Sequence, residues 1–200
     1  MITSQFLKKT LLYFSFMVFS MLAVIACKGD EQVDSKEVAE DLNKPKNDLA
    51  KEQDERFMVR VAEIDFEQIL LGKLAYQRAT SPEVKDFGKT VEEAHRTSKS
   101  ELGSMAIMKS IAIPTTPTKS VHQVYDKINE ASVEDFDATY LSSVIASHNE
   151  AIRLFEECIK GNNDQEIRTW AIGKLPDLRM HLTKAMELDA QYGPLSEVVR

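Results

Sequence analysis

Cysteine is almost missing from this chain: Cys27 and Cys158 are the only two in 200 residues. If Cys27 is consumed by lipid, as argued below, Cys158 has no partner within the chain, and a disulfide framework is excluded. Glycine and proline are scarce as well, at seven and six, which excludes fibrous, collagen-like and low-complexity chains. Positive charge is in deficit. The first 26 residues carry Lys8 and Lys9 and no acid, so the remainder holds 23 basic against 32 acidic residues, a net of −9. Such a surface repels phosphate backbones, and no basic stripe offsets it, so a nucleic-acid partner is rejected. No uncharged apolar run reaches the roughly 20 residues of a bilayer span. The longest is Leu11 to Ala26, 16 residues.

That run has a recognisable setting. Lys8-Lys9 form a positive start, the apolar stretch follows, and it ends in Val24-Ile25-Ala26-Cys27 before switching to Lys28-Gly29-Asp30-Glu31. The ending resembles the bacterial lipobox, which implies cleavage before Cys27 and lipidation of its thiol and new amino group. Several acyl chains, each buried methylene contributing about 0.8 kcal/mol, make such attachment effectively permanent. The expected location is the cell envelope, lipid-anchored at the outer membrane on its periplasmic or surface face. Residues 1–26 read as the signal peptide, 27–52 as the lipidated cysteine and a tether, 53–192 as the folded domain and 193–200 as a tail. Thirteen of residues 28–52 are charged and the apolar ones are scattered, a composition from which no packed core is expected.

The domain reads as all-α. Phe57, Val61, Ile64, Leu71, Leu74 and Ala75 recur at three- and four-residue steps and predict a helix over about 53–78. Ser81-Pro82 opens a second over about 82–108, with Val84, Phe87, Val91, Leu102 and Met105 on its apolar stripe. Ile113-Pro114-Thr115-Thr116-Pro117 breaks it and begins a long connection to about 132, with a short helix expected around Val121 to Ile128. Ser132 and Asp135 resemble a capping box for a third helix over about 133–160, with Gly161 suited to a left-handed terminus. A fourth is expected over about 164–190, kinked or restarted at Pro176, which cannot donate to the Ile172 carbonyl. Asp135 and Asp137 read as helix-start charges. Two helical pairs joined by a long connection between helices 2 and 3 give a four-helix bundle of the ferritin-like kind.

Of the four histidines, His122 sits in the connection. The other three fall on core stripes. His95 lies four after Val91, His148 four after Val144 and His181 three after Leu178. His95 and His148 are near the middle of their helices, a depth reached on the first helix by Glu67 and Gln68. Imidazoles suit zinc, copper, nickel or iron, and a carboxylate would complete a site. Glu92 precedes His95 by three, a spacing that puts both on one face. Di-iron bundles use that pair twice, and here it occurs once, with Ile145 and Leu178 at the matching places. The candidate transition-metal ligands are therefore His95, His148 and His181, with Glu67 or Glu92 assisting. The alternative is that each imidazole pairs separately with a neighbour such as Tyr140. Cys158, among Ile152, Phe155 and Ile159, reads as a small buried hydrophobe.

Four ordered segments resemble the bacterial domain-of-unknown-function family numbered 4142. They are Leu71-Gly72-Lys73-Leu74-Ala75; Ser81-Pro82-Glu83-Val84-Lys85-Asp86-Phe87 with His95; Phe136-Asp137-Ala138-Thr139-Tyr140-Leu141 with His148; and Leu175-Pro176-Asp177-Leu178 with His181-Leu182. The resemblance implies a ferritin-like fold and an envelope location, with no established activity. The chain departs from the family pattern at Gln68 and Leu70 and at Ala94, places where carboxylates or amides are frequent. No Ser-His-Asp or Cys-His grouping, glycine-rich phosphate loop or Cys-x-x-Cys is present. The expectation is a membrane-anchored binding or structural module without enzymatic activity. A metal-binding or metal-redox bundle is the alternative.

Overall fold

The computed structural model describes residues 33–44, 49–161 and 163–192. The expected export segment and Cys27 lie outside the described residues, as does the expected tail. The chain divides into a unit of Met1–Val33 and a unit of Asp34–Arg200, and the fold that follows is that of the second.

All regular structure among the described residues is helical: α1 (Ser35–Leu42), α2 (Leu49–Arg78), α3 (Pro82–Lys109), α4 (Lys119–Asn129), α5 (Phe136–Lys160) and α6 (Gln165–Tyr192). None of them is long and apolar enough to cross a membrane. Four are long, and they form the bundle. The most extensive packing is α2 on α3 and α5 on α6, and the pairs meet through α2 with α5 and α3 with α6.

Hydrogen bonds between helix ends give the directions. At one end, Asp54 of α2 accepts from the Asn163 side chain at 2.7 Å and from the Asp164 amide at 3.0 Å, at the start of α6. Lys109, the last residue of α3, pairs with Asp164 at the same end. At the other end, Asp137 of α5 accepts from the Thr80 and Ser81 amides at 2.9 and 2.8 Å and from the Thr80 hydroxyl at 2.8 Å, in the α2–α3 turn. So α2 runs parallel to α6, and α3 parallel to α5. The connection from α3 to α5 must then traverse the bundle lengthwise. It does so in steps. Lys109 is at the first end, Thr118 donates to Glu63 near the middle of α2, and the Asn129 and Ala131 carbonyls accept from Arg78 at the far end.

Local chemistry sets the boundaries. The Ser81 hydroxyl caps α3 at the Val84 amide, with Pro82 in the first turn. α3 ends in a Schellman arrangement: Ile111 donates to the Ala106 carbonyl and Ser110 to that of Ile107, with Ser110 itself left-handed at φ 53°. The left-handed terminus expected at Gly161 is not there. Gly161 has φ −82° and an extended conformation, with its amide bonded to the Glu157 and Cys158 carbonyls. Ser132 does bond the Asp135 amide at 3.1 Å, but α5 begins only at Phe136. Helix α6 continues through Pro176 without a break. Asp137 is not merely a helix-start charge: it is 5% exposed and clamps the neighbouring turn.

The stretch expected to be an unpacked tether is partly folded. Residues 34–44 dock on the bundle as α1 and its flanks. Ala39 is buried, Lys36 pairs with Glu63 at 2.9 Å, and Asn43 exchanges two hydrogen bonds with the Ala112 backbone at 2.7 and 2.8 Å. An eight-residue helix has little stability of its own. These contacts with residues far along the chain supply what the composition does not. Glu63 collects Lys36, Arg60, Thr118 and Ser120, so one buried carboxylate ties α1 and α4 to α2.

Two glycines determine how closely α2 and α3 approach. A Cβ on Gly72 would stand 2.5 Å from the Gly88 carbonyl oxygen, and one on Gly88 would stand 2.8 Å from the Ala75 Cβ.

A candidate metal centre in a polar layer

The bundle interior is two apolar clusters with a polar layer between them. One cluster holds Phe57, Val61, Ile64, Leu102, Ala151, Phe155, Ala171 and Leu178. The other holds Leu71, Val91, Phe136, Tyr140, Val144, Ala185 and Leu188. On every long helix the residues between belong to neither: Asp65 and Gln68 on α2, His95 and Ser98 on α3, His148 on α5 and His181 on α6. All are buried, the three histidines at 4%, 1% and 4% exposure. A heptad-like stripe of apolar residues with one or two polar substitutions per helix, all at matching depth, produces this stratum.

The three imidazoles converge. Their centroids are 5.4 Å apart for His95 and His148, 5.5 Å for His148 and His181 and 6.2 Å for His95 and His181. One ring nitrogen from each lies within 4.8 Å of the others. Each of two rings is oriented through its other nitrogen. His95 Nδ1 meets Asp65 Oδ1 at 2.8 Å, and Asp65 Oδ2 accepts from the Ser98 hydroxyl at 3.0 Å. His148 Nδ1 donates to the Val144 carbonyl at 3.0 Å. His95 Nε2, His148 Nε2 and His181 Nδ1 are buried without a hydrogen-bond partner, as are Gln68 Oε1 and the Tyr140 hydroxyl. The alternative of separate pairings thus describes only the far side of His95 and His148, and Tyr140 takes no part in it.

Burial favours neutral rings. Removal from water pushes His95 down to about 4, and His148 to about 3 with help from the neighbouring imidazoles. His181 falls to about 4 for the same reasons. Burial also raises Asp65 well above the usual carboxylate range, against the hydrogen bond from Ser98 and the charges of Lys174 and Lys99. One proton lies in the short bond between Asp65 and His95. When it sits on Nδ1, the lone pair of Nε2 points into the cluster, which is the arrangement seen where a carboxylate backs a metal-bound histidine.

Glu67 and Glu92 are placed elsewhere. Glu67 accepts from Gln68 at 3.1 Å and from Ser147; burial raises it more than these partners lower it. Glu92, half-buried where α3 approaches Gly72 of α2, accepts from Arg96 at 2.6 and 2.9 Å. The carboxylate that stands beside the histidines is Asp65, which the depth argument passed over in favour of Glu67. The signal was present: Asp65 follows Val61 by four and precedes Gly72 by seven, so it shares the buried stripe of α2. Cys158 sits in the first apolar cluster with its thiol pushed up to about 12 by burial and the nearby Asp54, an environment that suppresses the thiolate.

The family described as Domain of unknown function (DUF4142) matches residues 39–188, three quarters of the chain. The chain belongs to this family. No curated protein and no solved structure matches it. The DUF4142 match spans the whole bundle and begins inside α1, so the docked α1 segment overlaps the family region at its amino-terminal edge.

The geometry can be tested against coordination chemistry. Three nitrogens bound tetrahedrally to one ion at about 2.1 Å stand about 3.4 Å apart. A pair at the 4.8 Å limit must therefore close by roughly 1.4 Å, which side-chain rotation toward the ion has to supply. Three neutral imidazoles, one backed by a carboxylate, suit zinc, copper, nickel or ferrous iron. The carboxylate-rich set of a di-iron centre is not what this layer of the DUF4142 domain presents.

Proposed function

We propose that this chain is a membrane-anchored envelope lipoprotein whose DUF4142 bundle binds one transition-metal ion through His95, His148 and His181. Two observations carry the reading: one ring nitrogen from each of three histidines on three different helices lies within 4.8 Å of the others, and each of these rings has one buried nitrogen with no hydrogen-bond partner. Leaving buried polar atoms unpaired costs about 1–3 kcal/mol each. A fold that places one on each of three converging rings accepts a penalty that a bound ion would remove. This favours the metal-binding alternative over a purely structural module. Anchoring rests on the lipobox resemblance around Cys27.

The test is elemental analysis of the purified full chain, with melting followed in added zinc, copper, nickel, cobalt or iron. One equivalent per chain is expected. At a hundredfold excess over Kd, native-state binding adds about 2.7 kcal/mol, or roughly 5–10 °C for a domain of this size. His148→Ala abolishes both effects. No stoichiometric metal together with an unchanged melting temperature overturns the reading and leaves the structural module. The anchor is tested separately: Cys27→Ala is expected to move the chain from the membrane fraction to the soluble one.

A further inference from the structure

A cleft of about 230 Å³ enters the bundle between α3 and α6 and ends at the polar layer. His95 and His181 stand on its wall, with Asp65 beside them, while His148 does not line it and lies behind. The rest of the inner wall is hydrocarbon, contributed chiefly by Val61, Ile64, Phe155 and Leu178. At the mouth are Thr97 of α3 and Lys174 and Asp177 of α6, Lys174 being paired with Glu101. The volume exceeds the ~150 Å³ of an apolar cavity that accepts benzene.

The arrangement has a chemical consequence that rests on the metal reading above. Three protein nitrogens leave a tetrahedral ion one position short. His148 closes the inner side, so the remaining position faces the cleft, between the two histidines that line it. The donors are neutral, and the buried carboxylate beside the ion is Asp65 behind His95. Asp177, the other carboxylate on the cleft, raises His181 from the mouth, where it is exposed and screened by water. A buried uncompensated charge is costly, so a negatively charged fourth ligand is favoured over a neutral one. The hydrocarbon walls then favour an anion that carries an apolar body.

We propose that the fourth coordination position is open to this cleft and takes a small organic carboxylate, its oxygen on the ion and its hydrocarbon part against Phe155 and Leu178. The experiment uses the full chain loaded with cobalt(II), whose visible bands report ligand exchange, titrated with benzoate and with formate. A saturable spectral change is expected with both, and benzoate binds at least tenfold more tightly. Thr97→Trp, an exposed position at the mouth, is expected to leave cobalt binding intact and to weaken benzoate at least tenfold. Cobalt binding with a spectrum that neither anion moves overturns this inference and leaves the metal site standing. Equal affinities for benzoate and formate, or an unaffected Thr97→Trp, overturn the role of the cleft. Absence of cobalt binding overturns the inference together with the reading beneath it.

Discussion

Replacing Gly72 with alanine tests whether the α2–α3 contact is as close as its glycines imply. In an exposed helix the change is favourable by about 1 kcal/mol, because glycine has more backbone freedom to lose. Here the new methyl would lie 2.5 Å from the Gly88 carbonyl oxygen and 3.0 Å from the Glu92 backbone nitrogen and Cβ. The nearest obstacle is backbone, so relief requires moving one helix by several tenths of an ångström. A gap of 0.5–1 Å already forfeits a quarter to a half of a dispersion contact, and α2 and α3 share their whole length. Overpacking of this kind costs about 1–3 kcal/mol, against the propensity gain of about 1 kcal/mol. The expected net destabilisation is about 0–2 kcal/mol, or up to roughly 8 °C in melting temperature. Gly103→Ala on α3 is the control, since a Cβ there meets nothing within 4 Å. It should stabilise by up to about 1 kcal/mol. Thermal and urea denaturation of the two variants measure the contrast. Equal stabilities for Gly72→Ala and Gly103→Ala would refute the argument.

Two further outcomes follow from buried polar groups. In the metal-free chain, His148 and His181 titrate at about 3 and about 4 when folded, against 6.5 for the free side chain. Below about pH 6.5 the unfolded chain therefore takes up protons that the folded one refuses. The stability these rings contribute should fall progressively from there toward pH 4, at up to about 1.4 kcal/mol per pH unit for each histidine, against an opposite contribution from Asp65 and Glu67, whose folded values are raised. A His181→Gln variant whose urea midpoint varies with pH as steeply as the parent's would contradict the burial. Asp137→Ala removes the acceptor of three hydrogen bonds at the α2–α3 turn and is expected to cost about 2–4 kcal/mol. A loss under half a kilocalorie in the same assay would show that the clamp is idle.

How much of this was legible beforehand varies by residue. His95, His148 and His181 were readable because a helix repeats at fixed angle, so a polar residue on an apolar stripe must face inward wherever the partners lie. Their common depth was readable because two sit near helix midpoints. Asp65 was within reach by the same rule and was passed over because position along the helix was weighed before angle around it. Helix α1 was out of reach. Its sequence is charged and only eight residues long, and what holds it is Asn43 on Ala112 and Ser35 on the Thr115 amide, partners 69 and 80 residues away. The extended Gly161 was equally hidden, since glycine is compatible with both conformations. The cleft to the histidines depends on the separation of α3 and α6, which no local pattern encodes.

The polar stratum gives the bundle a waist. Hydrocarbon above and below cannot fuse into one interior, so the four rods are each gripped twice by apolar packing with polar side chains between. Short of fraying at the termini, opening fluctuations should begin there, making backbone amides around His148 exchange with solvent sooner than those one turn to either side. An ion seated among the rings would lace that waist shut across chain separations of 53 and 33 residues. Occupancy would then be felt as stiffness along the entire length of the molecule.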